Sequence, residues 1–219
     1  MATSLPAPEA LQIAGPAGVL EALLESPAVA EVREFAVVCH PHPQHGGTMH
    51  NKVAHMLARA LQDCGMPTLR FNFRGVGASA GSFANGVGET DDALAIVAAG
   101  RQRWPAARLT LAGFSFGAAV ALRAAARAHP ARLITVAPAV DRVAVESVPQ
   151  AGIDWLLLQG DTDEVVLPGS VRDWLQGLQH PPRVIWMPGV GHFFHGALTG
   201  LRGQVVEFVR AGTAAVPQA

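Results

Sequence analysis

Short apolar runs recur along the chain, and stretches with a helical spacing of apolar residues separate most of them. Several runs are nearly continuous in Val, Leu, Ile and Phe, a pattern typical of strands that are buried on both faces. Strands are predicted over residues 11–13, 19–24, 35–40, 68–73, 109–114, 133–136, 155–159 and 184–187. Helices are predicted over residues 50–63, 89–103, 116–128, 169–178 and 202–211.

This alternation of strands and helices predicts an α/β fold with a mostly parallel, doubly wound sheet and helices on both faces. Only Gly15-Pro16-Ala17-Gly18 separates the first two strands, so these are expected to form a hairpin at one edge. The sequence contains no repeat, no low-complexity segment and no linker. Residues 1–219 are therefore predicted to form one domain.

The composition excludes several classes of function. The formal net charge is −1 over 219 residues, so the chain offers no basic excess for nucleic acid. No apolar run comes close to the roughly 20 residues that span a bilayer, so no membrane partner is expected. Two cysteines do not make a disulfide framework and the first residues lack the features of a signal peptide, which favours the cytoplasm. The oligomeric state stays open.

A Gly-x-Ser-x-Gly motif, Gly113-Phe114-Ser115-Phe116-Gly117, joins the fifth predicted strand to the helix that follows it. A sharp strand-to-helix turn of this kind lifts the serine hydroxyl out of the edge of the sheet. Glycines two residues before and two residues after the serine relieve crowding with neighbouring backbone. The positive end of the helix faces the serine. Ser115 is therefore predicted to be a nucleophile.

A serine nucleophile needs a base, and the base needs a third group to hold it; here the acid and the histidine should follow the serine in that order. Asp161, Asp163 and Glu164 come directly after a predicted strand. Asp163 is the preferred acid and Asp161 the second choice, although these acids are also suited to capping the next helix. His192 lies in the loop before the last helix and is the predicted base, with His195 as the fallback.

Two backbone N–H groups are expected to bind the oxyanion of the reaction. One belongs to Phe116, directly after the serine. The second is expected in the loop after the third strand, which reads CHPHPQHGGTMHN. Pro41 and Pro43 have no N–H, so the backbone N–H of His42 is predicted. Aromatic residues near these loops are candidates for the wall of an acyl pocket: Phe83, Phe114, Phe193 and Phe194.

Blocks including FAVVCHPHPQHGGTMHN, LAGFSFGAAVALR, LQGDTDEVV and GVGHFF resemble the α/β-hydrolase superfamily, and more closely its small bacterial members related to dienelactone hydrolases. The resemblance covers about residues 35–208 and implies an α/β-hydrolase fold with a Ser115–His192–Asp163 triad. True dienelactone hydrolases carry a cysteine nucleophile, so a dienelactone substrate is not implied. The short interval between Val140 and Trp155 predicts that no lid domain is present, which favours small, soluble acyl substrates.

Two alternatives to a serine esterase or thioesterase stay open. The sequence HPHPQH places His40, His42 and His45 in a pattern close to the H-x-H-x-D-H of zinc hydrolases, although Gln44 stands where that pattern has an aspartate ligand. His40 and His45 are more simply expected to shape their loop through hydrogen bonds. The other alternative is a non-catalytic binding protein on the same fold. The favoured function needs no metal and no cofactor, and its partner is a small-molecule acyl substrate.

Overall fold

An eight-stranded sheet runs through the protein and contains a strand for each of the eight predicted runs. The computed structural model describes residues 7–142 and 152–214. The strands are β1 (Glu9–Gly15), β2 (Gly18–Glu25), β3 (Glu34–Cys39), β4 (Thr68–Phe71), β5 (Arg108–Phe114), β6 (Arg132–Val136), β7 (Asp154–Gly160) and β8 (Arg183–Met187). The helices are α1 (Lys52–Gln62), α2 (Val87–Arg103), α3 (Phe116–Ala128), α4 (Pro168–Gln176) and α5 (Leu198–Ala214).

The order of the strands across the sheet is β1-β2-β4-β3-β5-β6-β7-β8. The first two strands form the predicted edge hairpin, and β2 also pairs with β4 in the antiparallel sense. All other neighbouring strands are parallel. The predicted α/β class with a mostly parallel sheet is thus confirmed. Because β5 lies near the middle, the loop that follows it is surrounded by the loops after its neighbours.

The helices cover both faces of the sheet because the central strands send apolar side chains to both sides. Along β5, Leu111 packs into the cluster that contains α2 and α3, whereas Ala112 packs into the cluster that contains α1 and α5. This alternation follows from the period of two along a strand. The nearly continuous apolar run of β5 is therefore what a strand between two helical layers requires.

Two strands end earlier than their apolar patterns predict. β3 ends at Cys39 and β4 at Phe71, whereas the predicted strands extend to residues 40 and 73. At Phe73 the backbone N–H donates to the imidazole of His40 at 3.1 Å. A side chain thus takes over the hydrogen bonding of the backbone where the two strands meet the loops.

Buried charges lie at the other end of the central strands, where the parallel strands begin. The carboxylate of Glu34 pairs with the guanidinium of Arg132, and both side chains are almost wholly buried. The hydroxyl of Thr110 also donates to Glu34. This ionic cluster joins the first residues of β3 and β6 across β5.

The connection between β6 and β7 is the place where a lid domain would be inserted. It is described up to Arg142 and again from Gly152 onward, and residues 143–151 lie outside the described part of the chain. Within the described residues, no helix is long and apolar enough to cross a membrane.

Candidate active site

Ser115 occupies the tight turn between β5 and α3, and the two glycines of its motif are required by contact with backbone. A Cβ atom on Gly113 would lie 2.2 Å from the carbonyl oxygen of Gly117. A Cβ atom on Gly117 would lie 2.3 Å from the carbonyl oxygen of His40. Both distances are far below van der Waals contact, so neither position accepts a side chain unless backbone moves. The turn brings Ser115 against the end of β3.

The backbone of Ser115 is itself strained. Its φ of 56° and ψ of −118° lie outside the regions that residues with a Cβ atom normally adopt. Such a conformation costs on the order of 1–3 kcal/mol and persists only where surrounding structure enforces it. Here the Ser115 N–H donates to the carbonyl of Val136 at 2.8 Å, and the Ser115 carbonyl accepts from Ala118 and Ala119.

The side chains of Ser115, His192 and Asp163 form a continuous hydrogen-bonded series. The Oγ atom of Ser115 lies 3.1 Å from Nε2 of His192, and Nδ1 of His192 lies 2.9 Å from Oδ2 of Asp163. All three residues are buried, with 7%, 3% and 2% of their surfaces exposed in that order. Because a carboxylate only accepts, Nδ1 carries the imidazole proton and Nε2 is free to accept from the serine hydroxyl.

The carboxylate of Asp163 is held by more than the histidine. Its Oδ1 atom accepts the backbone N–H groups of Val165 at 2.9 Å and Val166 at 2.7 Å. Its Oδ2 atom also accepts from the side-chain amide of Gln159 at 3.0 Å. Burial by itself raises the pKa of this carboxyl, but the hydrogen bond to His192 and the two backbone donors outweigh burial and lower its pKa. Asp163 is therefore ionised at neutral pH.

The other candidate acids occupy different positions. Asp161 is exposed and its Oδ1 atom accepts the backbone N–H of Gly189 at 2.7 Å. Glu164 accepts the backbone N–H of His192 at 3.3 Å and so holds the loop that carries the imidazole. Neither caps α4, whose first turn receives no side-chain hydrogen bond. His195 is exposed, and it is His192 rather than His195 whose ring meets Ser115.

The two predicted oxyanion donors belong to neighbouring residues. The rings of His42 and Phe116 pack with centroids 4.9 Å apart. In the part of the chain that the structure describes, neither backbone N–H donates to another protein group. The N–H of Phe116 also opens helix α3, where unpaired donors and the positive end of the helix favour an anion.

The predicted zinc ligands His40, His42 and His45 do not together form a metal site, although the rings of His42 and His45 pack with centroids 4.6 Å apart. Both ring nitrogens of His40 are engaged by backbone, Nδ1 with the carbonyl of Pro41 at 2.6 Å and Nε2 with the N–H of Phe73. Among residues 7–142 and 152–214 no group of three His, Cys, Asp or Glu side chains has the arrangement of a metal site. The alternative prediction of zinc ligation by these histidines is thus not supported, whereas the prediction that His40 shapes the loop is confirmed.

Burial dominates the electrostatics of His40. The residue has no exposed surface, and burial lowers the pKa of its imidazole to about 4, against a weaker opposing effect of the Pro41 carbonyl. The ring is therefore neutral at physiological pH. A neutral ring is what allows one nitrogen to donate while the other accepts.

Since the native state keeps His40 neutral, we expect acid to destabilise the protein at pH values above those at which carboxylates titrate. In the unfolded chain this imidazole binds a proton below pH 6.5, but in the native state only below about pH 4. The unfolded state thus binds the extra proton, so the free energy of unfolding falls as the pH drops through this window. The loss reaches about 3 kcal/mol at the lower end. Urea melts across this window measure it.

His40→Asn provides the control for this prediction because it removes the titrating group. The variant should be less stable than the wild type at neutral pH, yet its free energy of unfolding should fall less steeply with acid. An equal fall in both proteins would contradict the assignment of acid sensitivity to His40.

The aromatic candidates divide into two groups. Phe83 packs against the rings of His42 and Phe116, with centroids 5.0 and 5.8 Å away, and so borders the oxyanion loops. Phe114 and Phe194 have no exposed surface, and Phe114 lies 5.0 Å from the ring of His192. These two belong to the core that supports the site, contrary to the prediction that they line a pocket. Phe193, by contrast, is 50% exposed.

Two side chains hold Asp163 and His192 in ways that were not predicted from the sequence. They are the amide of Gln159 on Asp163 and the carboxylate of Glu164 on the backbone of His192. The sequence could have pointed to Gln159, because it is the one polar residue in the buried run WLLLQG and precedes Asp163 by four positions. Its Oε1 atom has no partner among the described residues.

Known proteins are similar to this chain in sequence and in architecture. The family model described as serine aminopeptidase, S33 matches residues 36–152. The crystal structure of XC6422 from Xanthomonas campestris, described as an α/β serine hydrolase without a lid, is 46% identical and has a TM-score of 0.90; the match covers 98% of this chain and 100% of that one. Protein RP471 of Rickettsia prowazekii is 35% identical in an alignment of 190 residues that covers 82% of this chain and 79% of that protein.

A dienelactone hydrolase from Anabaena variabilis bears on the finer resemblance in the sequence. It is 19% identical, with a TM-score of 0.75 over 94% of this chain and 98% of that one. At this level of identity the likeness is one of fold, and it carries no information about substrate.

Proposed function

Because this chain belongs to the α/β-hydrolase superfamily, we propose that it is a lidless serine hydrolase that cleaves small acyl esters or thioesters through an acyl-enzyme. The observation that carries this proposal is the buried series Asp163–His192–Ser115, in which each group is within hydrogen-bonding distance of the next. Such a series converts an alcohol of ordinary reactivity into a nucleophile.

The geometry supports the following sequence of steps. Ser115 Oγ attacks the acyl carbonyl while His192 Nε2 takes the hydroxyl proton. Asp163 holds the imidazole through Nδ1 and stabilises its charged form. The tetrahedral oxyanion is bound by the backbone N–H groups of His42 and Phe116. His192 then gives the proton to the departing alcohol or thiol, and a water molecule, activated by the same nitrogen, hydrolyses the acyl-enzyme and returns Ser115 to its starting state.

Small substrates are favoured by what surrounds the serine. The related structure of XC6422 is described as lacking a lid, and a lid is what encloses long acyl chains in many members of the superfamily. The aromatic group formed by Phe83, Phe116 and the ring of His42 offers a limited apolar surface beside the oxyanion donors. This surface suits a short acyl group rather than a lipid chain.

A fluorophosphonate probe and a panel of p-nitrophenyl esters of graded chain length test this proposal. We expect the probe to label Ser115, as read by mass spectrometry of the digested protein, and the shorter esters to have the higher kcat/KM. Acyl thioesters and an aminoacyl p-nitroanilide complete the panel, because the matching family is described as one of aminopeptidases. A clear preference for the anilide would replace the ester in the proposal but keep the mechanism.

The same assays, combined with chelator treatment and with Ser115→Ala, test the zinc hydrolase and the non-catalytic binding protein. A zinc hydrolase would lose activity on treatment with a chelator and would keep activity in Ser115→Ala. A non-catalytic binding protein would neither react with the probe nor turn over any member of the panel. Either result would refute the proposed serine hydrolase.

A further inference from the structure

The peptide unit between Pro41 and His42 is anchored by a buried imidazole. The Nε2 atom of His40 accepts the backbone N–H of Phe73 at 3.1 Å, so the ring proton is on Nδ1. Nδ1–H in turn donates to the carbonyl of Pro41 at 2.6 Å. The ring also packs against Phe73 with centroids 4.6 Å apart. It therefore bridges the end of β4 and the loop after β3 as a rigid spacer.

Holding this carbonyl also determines where the next N–H points. None of the described peptide bonds is cis, and in a planar trans peptide the carbonyl and the following N–H lie on opposite sides. The N–H that follows the Pro41 carbonyl is that of His42, the predicted oxyanion donor. An imidazole that fixes the carbonyl on the inner side of the loop thus fixes the N–H on the other side.

The same peptide is confined by the close approach of Gly47. A Cβ atom on Gly47 would lie 2.1 Å from the carbonyl oxygen of Pro41 and 2.6 Å from that of His42. The N–H of Gly47 also donates to the carbonyl of His42 at 3.0 Å. A side chain at this position would displace the anchored carbonyl.

We propose that His40 is a positioning residue that directs the backbone N–H of His42 toward the oxyanion, acting through its hydrogen bond to the Pro41 carbonyl. This inference rests on the proposed serine hydrolase function. The bond from Nδ1 orients the His42 N–H and so matters for catalysis, whereas the bond accepted by Nε2 holds the ring and contributes chiefly to stability.

Two amide substitutions separate the two ring nitrogens. The amide of Asn lies where Nδ1 lies, so His40→Asn keeps a donor for the Pro41 carbonyl and loses the acceptor for Phe73. The amide of Gln reaches the place of Nε2, so His40→Gln keeps the acceptor and loses the donor. Each variant leaves one buried backbone group without its partner, which makes the pair a matched control for stability.

We expect His40→Gln to lower kcat by about 10- to 100-fold, since loss of a full oxyanion donor costs about 100-fold or more. KM should change little, because the oxyanion forms only after binding. His40→Asn should keep a kcat near that of the wild type at equal folded fraction. The inhibition constant of an alkylboronic acid, whose adduct with serine is tetrahedral, should rise in His40→Gln by the same factor as kcat falls.

Gly47→Ala tests the same peptide without altering His40. It should lower kcat at nearly constant KM while the protein remains folded by circular dichroism. Equal kcat values in the two His40 variants, or full kcat in a folded Gly47→Ala, would overturn the role of His40 while leaving the proposed function intact. A wild type that neither reacts with the fluorophosphonate nor hydrolyses any ester would overturn both.

Discussion

Replacing Ser115 by alanine is expected to lower ester hydrolysis by about 10⁴-fold or more. The substitution removes only Oγ, which lies 3.1 Å from Nε2 of His192, and keeps the Cβ atom and therefore the packing of the turn. Without the hydroxyl no atom carries the acyl group, and only binding and the oxyanion donors remain. Steady-state hydrolysis of a p-nitrophenyl ester measures the loss, and thermal melting verifies that the fold is kept.

Ser26→Ala is the matched control for this change. Ser26 directly follows β2, beside Glu25, which pairs with the first residue of β4 at the edge of the sheet opposite the site. The control should hydrolyse the ester at the rate of the wild type. Substantial activity in Ser115→Ala would show that the nucleophile lies elsewhere.

Asp163→Asn is expected to cost a similar factor, about 10⁴-fold in kcat, although the new side chain has the same shape. Oδ1 of Asp163 accepts the N–H groups of Val165 and Val166, so an amide oxygen is held there and the new NH₂ replaces Oδ2. That NH₂ donates toward Nδ1 of His192, so Nδ1 must accept the hydrogen bond. The imidazole then carries its proton on Nε2 instead. In this tautomer His192 no longer takes the proton of Ser115. The rate of acyl-enzyme formation, measured by rapid mixing, reports the loss.

Asp161→Asn separates this effect from a general loss of negative charge in the loop. Asp161 is exposed and contacts the backbone of Gly189 rather than the imidazole, so we expect its replacement to leave kcat close to that of the wild type. The reverse pattern, with Asp161→Asn inactive and Asp163→Asn active, would transfer the role of the acid to Asp161.

The fold was predictable because its information is local. Each buried strand is a short apolar run, and the Gly-x-Ser-x-Gly motif sits where one such run meets a helix. Ser115, Asp163 and His192 could be selected because each follows the carboxyl end of a strand, and such ends meet at one edge of a parallel sheet. The backbone contacts at Gly113 and Gly117 then supply the physical reason for the motif.

The contacts that hold the reactive groups were not predictable because they join residues distant in the sequence. His40 receives its hydrogen bond from Phe73, 33 positions away, and no local pattern marks Phe73 as a donor. The role of Glu164 depends on the path of a loop 28 residues further on. The zinc-like histidine spacing was misleading for a different reason, since spacing along the chain does not say which way a ring turns.

The buried pair of Glu34 and Arg132 has a consequence for how such a protein diversifies. It ties the beginnings of the central strands together at the end of the sheet remote from Ser115. Changes in the loops at the reactive end, outside the constrained positions at His40, Gly47 and Gly117, would therefore leave this clamp untouched. A change of substrate would thus alter one end of the sheet, while the opposite end would keep the scaffold intact.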